Sequence, residues 1–263
     1  MPDVAAPEPS IFARQWRRFI HALTFYTRVP WPKGMAFDGQ DLVKGNVYFP
    51  LVGWLVAAVA CLTYWAACLV LSESIAVIIS MVATIWLTGA FHEDGFADTC
   101  DGFGGGYGKQ AIMTIMKDSR VGTYASVGLC LLLLLKHQAL LSVPDILLSL
   151  WVAHSVSRLV PLVLMASLPY VREQSDSKIG QTQLGLPIVE LMIAALLAAI
   201  PLYWLPAAVI LAIIVLLLLT FFILRHWFKR VLGGITGDCL GASQQITEVL
   251  VYLVLGASLW NVI

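Results

Sequence analysis

From Ala207 to Leu224 the chain runs eighteen residues, A-A-V-I-L-A-I-I-V-L-L-L-L-T-F-F-I-L, without one charged side chain. A run of that length crosses about 30 Å of hydrocarbon as a helix, and a helix is the form that pairs every backbone N–H and C=O within itself. Similar runs recur at Tyr48–Leu71, Ile75–Phe91, Val121–Ser142, Ile146–Leu168, Ile188–Trp204 and from Ile246 onward. With 59% hydrophobic and 12% charged residues, the chain has about half the charge of a soluble domain. The expected fold class is therefore all-α, a polytopic integral membrane helical bundle of about seven transmembrane helices. Residues 10–28 interleave Ile11, Phe12, Trp16, Phe19, Ile20 and Leu23 with Arg14, Arg17 and Arg18, which predicts an amphipathic helix on the membrane surface ending before Pro30 and Pro32.

No composition shift or repeat divides the chain, so residues 1–263 read as one membrane-embedded catalytic domain, with an N-terminal segment over 1–47 and an acidic loop over 92–120. Lys+Arg and Asp+Glu balance at 16 each, which leaves no global field for nucleic acid. The five cysteines form no C-x-x-C pair and read as free thiols.

The placement of charge orients the chain. Lys109, Lys117, Arg120, Arg172, Lys178, Arg225, Lys229 and Arg230 fall in alternate loops, and the opposite turns at 72–74, 143–145 and 205–206 carry no basic residue. By the positive-inside rule the N-terminus and all the polar loops are expected in the cytoplasm. One polar face and one of bare turns suit an enzyme acting on a cytosolic substrate better than a scaffold.

Directly behind one apolar run stands F-H-E-D-G-F-A-D-T-C-D-G-F-G-G-G, Phe91–Gly106, the most acidic stretch in the chain. As a helix it sets Asp94, Asp98 and Asp101 within roughly 60° of one another. Three carboxylates on one face call for a cation, and oxygen donors suit Mg2+. A solvated acidic loop is the plainer alternative. In M-K-D-S-R-V-G-T, Met116–Thr123, Lys117 and Arg120 are cations able to meet phosphate oxygens, and Asp118 adds a carboxylate; alternatively, Asp118 or Ser119 caps the next span. The loop L-G-G-I-T-G-D-C-L-G-A, Leu232–Ala242, offers Asp238 and backbone amides at Gly237 and Gly241, or is a plain turn. His154 and Arg158 stand at i, i+4 within a span, as functional groups or with Arg158 reaching the headgroups; Lys136 and His137 read as reaching outward to the far surface.

Carboxylates, cations and glycines at one membrane face point to metal-assisted phosphoryl transfer. CDP-alcohol phosphotransferases use similar chemistry, but Phe96-Ala97-Asp98 stands here where that family has an Ala-Arg pair. A transporter would need polar groups along a path through the membrane, and a structural subunit leaves the acidic spacing unexplained.

The strings H-E-D-G-F-A-D-T-C-D-G, M-K-D-S-R-V-G-T and G-D-C-L-G-A, with F-Y-T-R-V-P at Phe25–Pro30 and Y-F-P-L-V-G at Tyr48–Gly53, resemble in order the cobalamin synthase family, the adenosylcobinamide-GDP ribazoletransferases. The resemblance implies a Mg2+-dependent enzyme of the bacterial inner membrane that joins adenosylcobinamide-GDP to α-ribazole or its 5'-phosphate and releases GMP. It implies Glu93, Asp94, Asp98 and Asp101 as metal-binding carboxylates, with Asp98, Asp101, Asp238, Lys117 and Arg120 in catalysis. Asp118, Ser119, Arg158, Gly237 and Gly241 are expected to bind substrate. The lipid bilayer is an expected partner, and a homo-oligomer or association with other corrinoid-assembly enzymes stays open.

Overall fold

The structure is a computed structural model and describes residues 10–171 and 185–257. Arg172 and Lys178, and the end of the expected last span, lie outside the described residues. The chain is 79% helical with no strands among the described residues.

The amphipathic helix α1 (Ile11–Tyr26) begins at Ser10, whose Oγ accepts from the Ala13 N–H, and leaves Ile11, Phe12 and Trp16 exposed. Its basic face is tied inward, with Arg17 2.9 Å from Asp41 in the short helix α2 (Gly39–Gly45). Next come α3 (Phe49–Cys68) and α4 (Glu73–Thr88). Gly89 and Ala90, both left-handed at φ 68° and 57°, then turn the chain by 89° into the acidic helix α5 (Phe91–Gly105). Glycine adopts that conformation without a Cβ clash and ends helices for that reason; Ala90 pays a small steric cost to complete the corner.

The short α6 (Lys109–Ile115) leads to α7 (Thr123–Ser142), and α8 (Ile146–Val156) and α9 (Leu159–Ser167) form one span broken at Ser157–Arg158. The chain ends with α10 (Ile188–Ala199), α11 (Ala207–Leu232), which stops at left-handed Gly233, and α12 (Gly237–Leu255), capped by Thr236.

Among the described residues four helical stretches are long and apolar enough to cross a membrane: 39–68, 123–142, 146–167 and 207–232. The bent pair α4–α5 makes a fifth if it counts as one span. Hydropathy alone predicted seven, and the difference lies at the two ends of the last third. The apolar helix at 188–204 is shorter than a span, and α12 is an interior helix that carries Asp238 and Glu248. Burial separates the roles: only 22–33% of the stretches at 39–68, 123–142 and 207–232 is buried, against 72% of 146–167. The first three turn side chains such as Leu62, Leu131, Leu218 and Phe222 outward, as lipid-facing helices do.

Candidate active site

Helices α5 and α12 cross where glycines remove the side chains between them. A Cβ on Gly95 would lie 2.9 Å from the Asp238 carbonyl oxygen and 3.2 Å from the Gly241 Cα. Gly237 and Gly241, expected in a flexible phosphate-holding loop, are therefore helical. The connection from α11 is only Gly233–Thr236, and Gly241 serves the close approach of backbones.

One face of α5 opens on a pocket of about 550 Å3 lined by Asp94, Asp98 and Asp101, with Lys117, Asp118 and Arg120 opposite. Ser119 joins the lining. The helical spacing thus brings the three aspartates together, and the Met116–Thr123 motif faces them. Asp94 is exposed and Asp98 half-buried. Asp101 is held hardest: its two carboxylate oxygens accept the Gly122 N–H at 2.6 Å and the Ala125 N–H at 2.8 Å. It caps α7 from a distance in sequence, so neither Asp118 nor Ser119 caps that span. Asp118 instead accepts both Nε and Nη2 of Arg120, the latter at 2.6 Å. Arg120 holds the Asp118 carboxyl down to about 2, so this exposed pair stays ionised at neutral pH. Asp238 sits in the first turn of α12, at the α5 crossing, with Thr236 Oγ1 3.4 Å from its Oδ2.

Five expected site residues do not line this pocket: Gly237, Asp238 and Gly241 belong to the start of α12, and Glu93 and Arg158 are buried away from it. Glu93 is buried, turns away from the pocket and accepts from Gln245 Nε2 at 3.1 Å. Arg158 is 1% exposed, donates to the His154 carbonyl and sits 5.2 Å over the Phe49 ring, so it neither reaches the headgroups nor lines the acidic pocket. Lys136 does not reach outward either. It is buried with Nζ 2.9 Å from Glu248 and 2.7 Å from Gln245 Oε1, because an interior carboxylate is a far closer partner than the membrane surface. His137 lies at the far end, 3.2 Å from Ser74. Gln244, Gln245 and Glu248 went unread in the sequence; their signal is two amides and an acid inside an otherwise apolar helix.

The family of cobalamin-5-phosphate synthases matches residues 18–256, a range that includes every residue lining the pocket. The chain belongs to that family. Its curated relatives include the adenosylcobinamide-GDP ribazoletransferase of Shewanella amazonensis, 41% identical over 96% of this chain and 99% of the relative. The enzyme of the same name from Shewanella frigidimarina is 41% identical over 92% and 95%, and that of Vibrio cholerae 38% over 95% and 97%. No solved structure matches the chain. As a family member it is a transferase of cobalamin synthesis, and the acidic pocket is its candidate active site.

Among the described residues no three His, Cys, Asp or Glu side chains converge into a ready-made metal cage. Mg2+ usually keeps several waters and is bound by one or two carboxylates together with substrate phosphates. An all-oxygen wall at Asp94 and Asp98 facing two cations across an open pocket fits such a shared ion.

Proposed function

We propose that this protein transfers the cobinamide phosphate of adenosylcobinamide-GDP to α-ribazole or its 5'-phosphate and releases GMP, with Mg2+ as cofactor. The observation that carries this reading is the single pocket in which Asp94, Asp98 and Asp101 oppose Lys117 and Arg120. Asp94 and Asp98 would hold the metal. Mg2+ bound there would neutralise the diphosphate and the charge that grows on the departing GMP. Lys117 supplies a point charge to the phosphate oxygens, and Arg120, whose Nε–Nη2 edge is turned to Asp118, offers its Nη1 edge.

The acceptor hydroxyl attacks the phosphorus on the cobinamide side, forms the new P–O bond, and breaks the bond to the GMP oxygen. Its proton passes to a carboxylate. Asp118 is a poor base because Arg120 holds its pKa near 2, and the two oxygens of Asp101 are already engaged by the Gly122 and Ala125 amides. Of the carboxylates that line the pocket, Asp94 and Asp98 remain, and the one less engaged by metal takes the proton. A pocket of about 550 Å3 takes the reacting diphosphate, so the corrinoid extends outside it. The charge distribution supports a cytoplasmic active face in the bacterial inner membrane.

The test is purified protein in nanodiscs with adenosylcobinamide-GDP, α-ribazole 5'-phosphate and Mg2+, followed by mass spectrometry. GMP formed in step with the joined corrinoid is expected; both substrates returned unchanged by folded protein would overturn the reading.

A further inference from the structure

Beneath the acidic pocket lies a second polar cluster that the reaction does not use. Glu248 of α12 is its hub, 2.9 Å from Lys136 of α7, 3.3 Å from His154 of α8, and accepting from Gln244 at 2.7 Å. Lys136 also donates to Gln245, whose own Nε2 donates to Glu93 of α5. Each of these side chains is more than nine-tenths buried. The cluster encloses about 10 Å3, no more than one water's room, so it is no substrate site. Arg158 also lines it.

Its position explains its use. At Gly95 and Gly241 the two backbones approach with no side chain between them. A slip of one residue would turn α5 by about 100° and carry Asp94 and Asp98 off the pocket wall. Glu93, next to Asp94 and two residues before Gly95, is hydrogen-bonded to Gln245 of α12. Through Gln245 and Lys136 that bond reaches α7, whose Ala125 lines the pocket.

We propose that Glu93 is a positioning residue, not a metal ligand: the chain Glu93–Gln245–Lys136, anchored on Glu248, sets the register of α5 on α12 and so aims Asp94 and Asp98 into the pocket. The inference rests on the proposed reaction for its kinetic readout only.

The experiment compares Glu93→Ala, Glu93→Gln, Asp98→Asn and the double variant Glu93→Leu/Gln245→Leu in nanodiscs. It measures kcat, KM, the Mg2+ concentration for half-maximal activity, and hydrogen exchange over residues 91–105. Misplacing reacting groups by about 1 Å costs on the order of 100-fold. Glu93→Ala is expected to lose about that much kcat, with the Mg2+ requirement unchanged and exchange faster along α5. Glu93→Gln keeps an oxygen for the Gln245 amide and should recover activity to within about tenfold.

The double variant replaces the polar pair with apolar groups that keep the bundle folded, and it should still lose kcat; this covers the case in which Glu93→Ala fails to fold. The proposal is overturned if Glu93→Gln raises the Mg2+ requirement as Asp98→Asn does, since that is a ligand's signature, or if the double variant turns over like wild type. Should wild type itself be inactive, the reaction fails while hydrogen exchange still decides the register: unchanged exchange in the double variant refutes it.

Discussion

Asp101 of α5 holds the first turn of α7 by accepting the backbone N–H of Gly122 at 2.6 Å, and it takes the Ala125 N–H with its other oxygen. Both bonds are charge-assisted and part-buried, so they join the acidic helix to the span that faces it. Loss of such a cap costs about 0.5–2 kcal/mol. Asp101→Ala should lower the thermal midpoint in detergent by a few degrees and loosen the loop at 117–122; a midpoint identical to wild type would show that the cap holds nothing.

Gly95→Ala tests the helix crossing. The added methyl would meet the Asp238 carbonyl at 2.9 Å, and backbone cannot rotate aside as a side chain can. Overpacking of this kind costs about 1–3 kcal/mol. The expected outcome is a lowered thermal midpoint together with a kcat reduced at least tenfold, because α5 must move away from α12. Wild-type kinetics and melting would mean that the helices do not approach so closely.

The Asp118–Arg120 pair makes a pH prediction. Arg120 lowers the Asp118 pKa from 3.8 to about 2. A lowered carboxyl pKa favours the paired state above its unfolded value, and that preference disappears as pH falls through about 2. Any acidic fall in rate with a midpoint above pH 4 therefore has another origin, and Asp118→Asn should leave that midpoint in place. Arg120→Ala should raise KM for the diphosphate substrate by about tenfold, the scale of one charged hydrogen bond. A midpoint that moves in Asp118→Asn would refute the assignment.

Metal removal follows from the open carboxylate wall. EDTA should abolish GMP release and added Mg2+ restore it. Mg2+ alone should move the thermal midpoint by less than Mg2+ with GDP present, because the substrate phosphates complete the site. An equal shift without nucleotide would point to a preformed metal cage in the protein.

Asp98→Asn exchanges one oxygen of the metal-facing wall for an amide and leaves size and helix spacing unchanged. It should cost at least 100-fold in turnover while the protein still inserts and melts as wild type. An active variant would remove Asp98 from the metal site.

Local chemistry was enough to read the membrane class, the amphipathic helix at 11–26, four of the seven expected spans and the common face of Asp94, Asp98 and Asp101, because helical period and hydropathy are properties of a single segment. The in-order motifs likewise announced the family that the relatives confirm. Tertiary structure alone decided how those segments share space. Glu93 and Asp94 are neighbours, yet a helix points them about 100° apart, one to Gln245 inside and one to the pocket. Asp101 and Gly122, 21 residues apart in the chain, meet only when α5 packs along α7. Lys136 looked bound for the membrane surface until α12 put Glu248 beside it. A buried charge is placed by where its partner folds, and hydropathy carries no record of the partner.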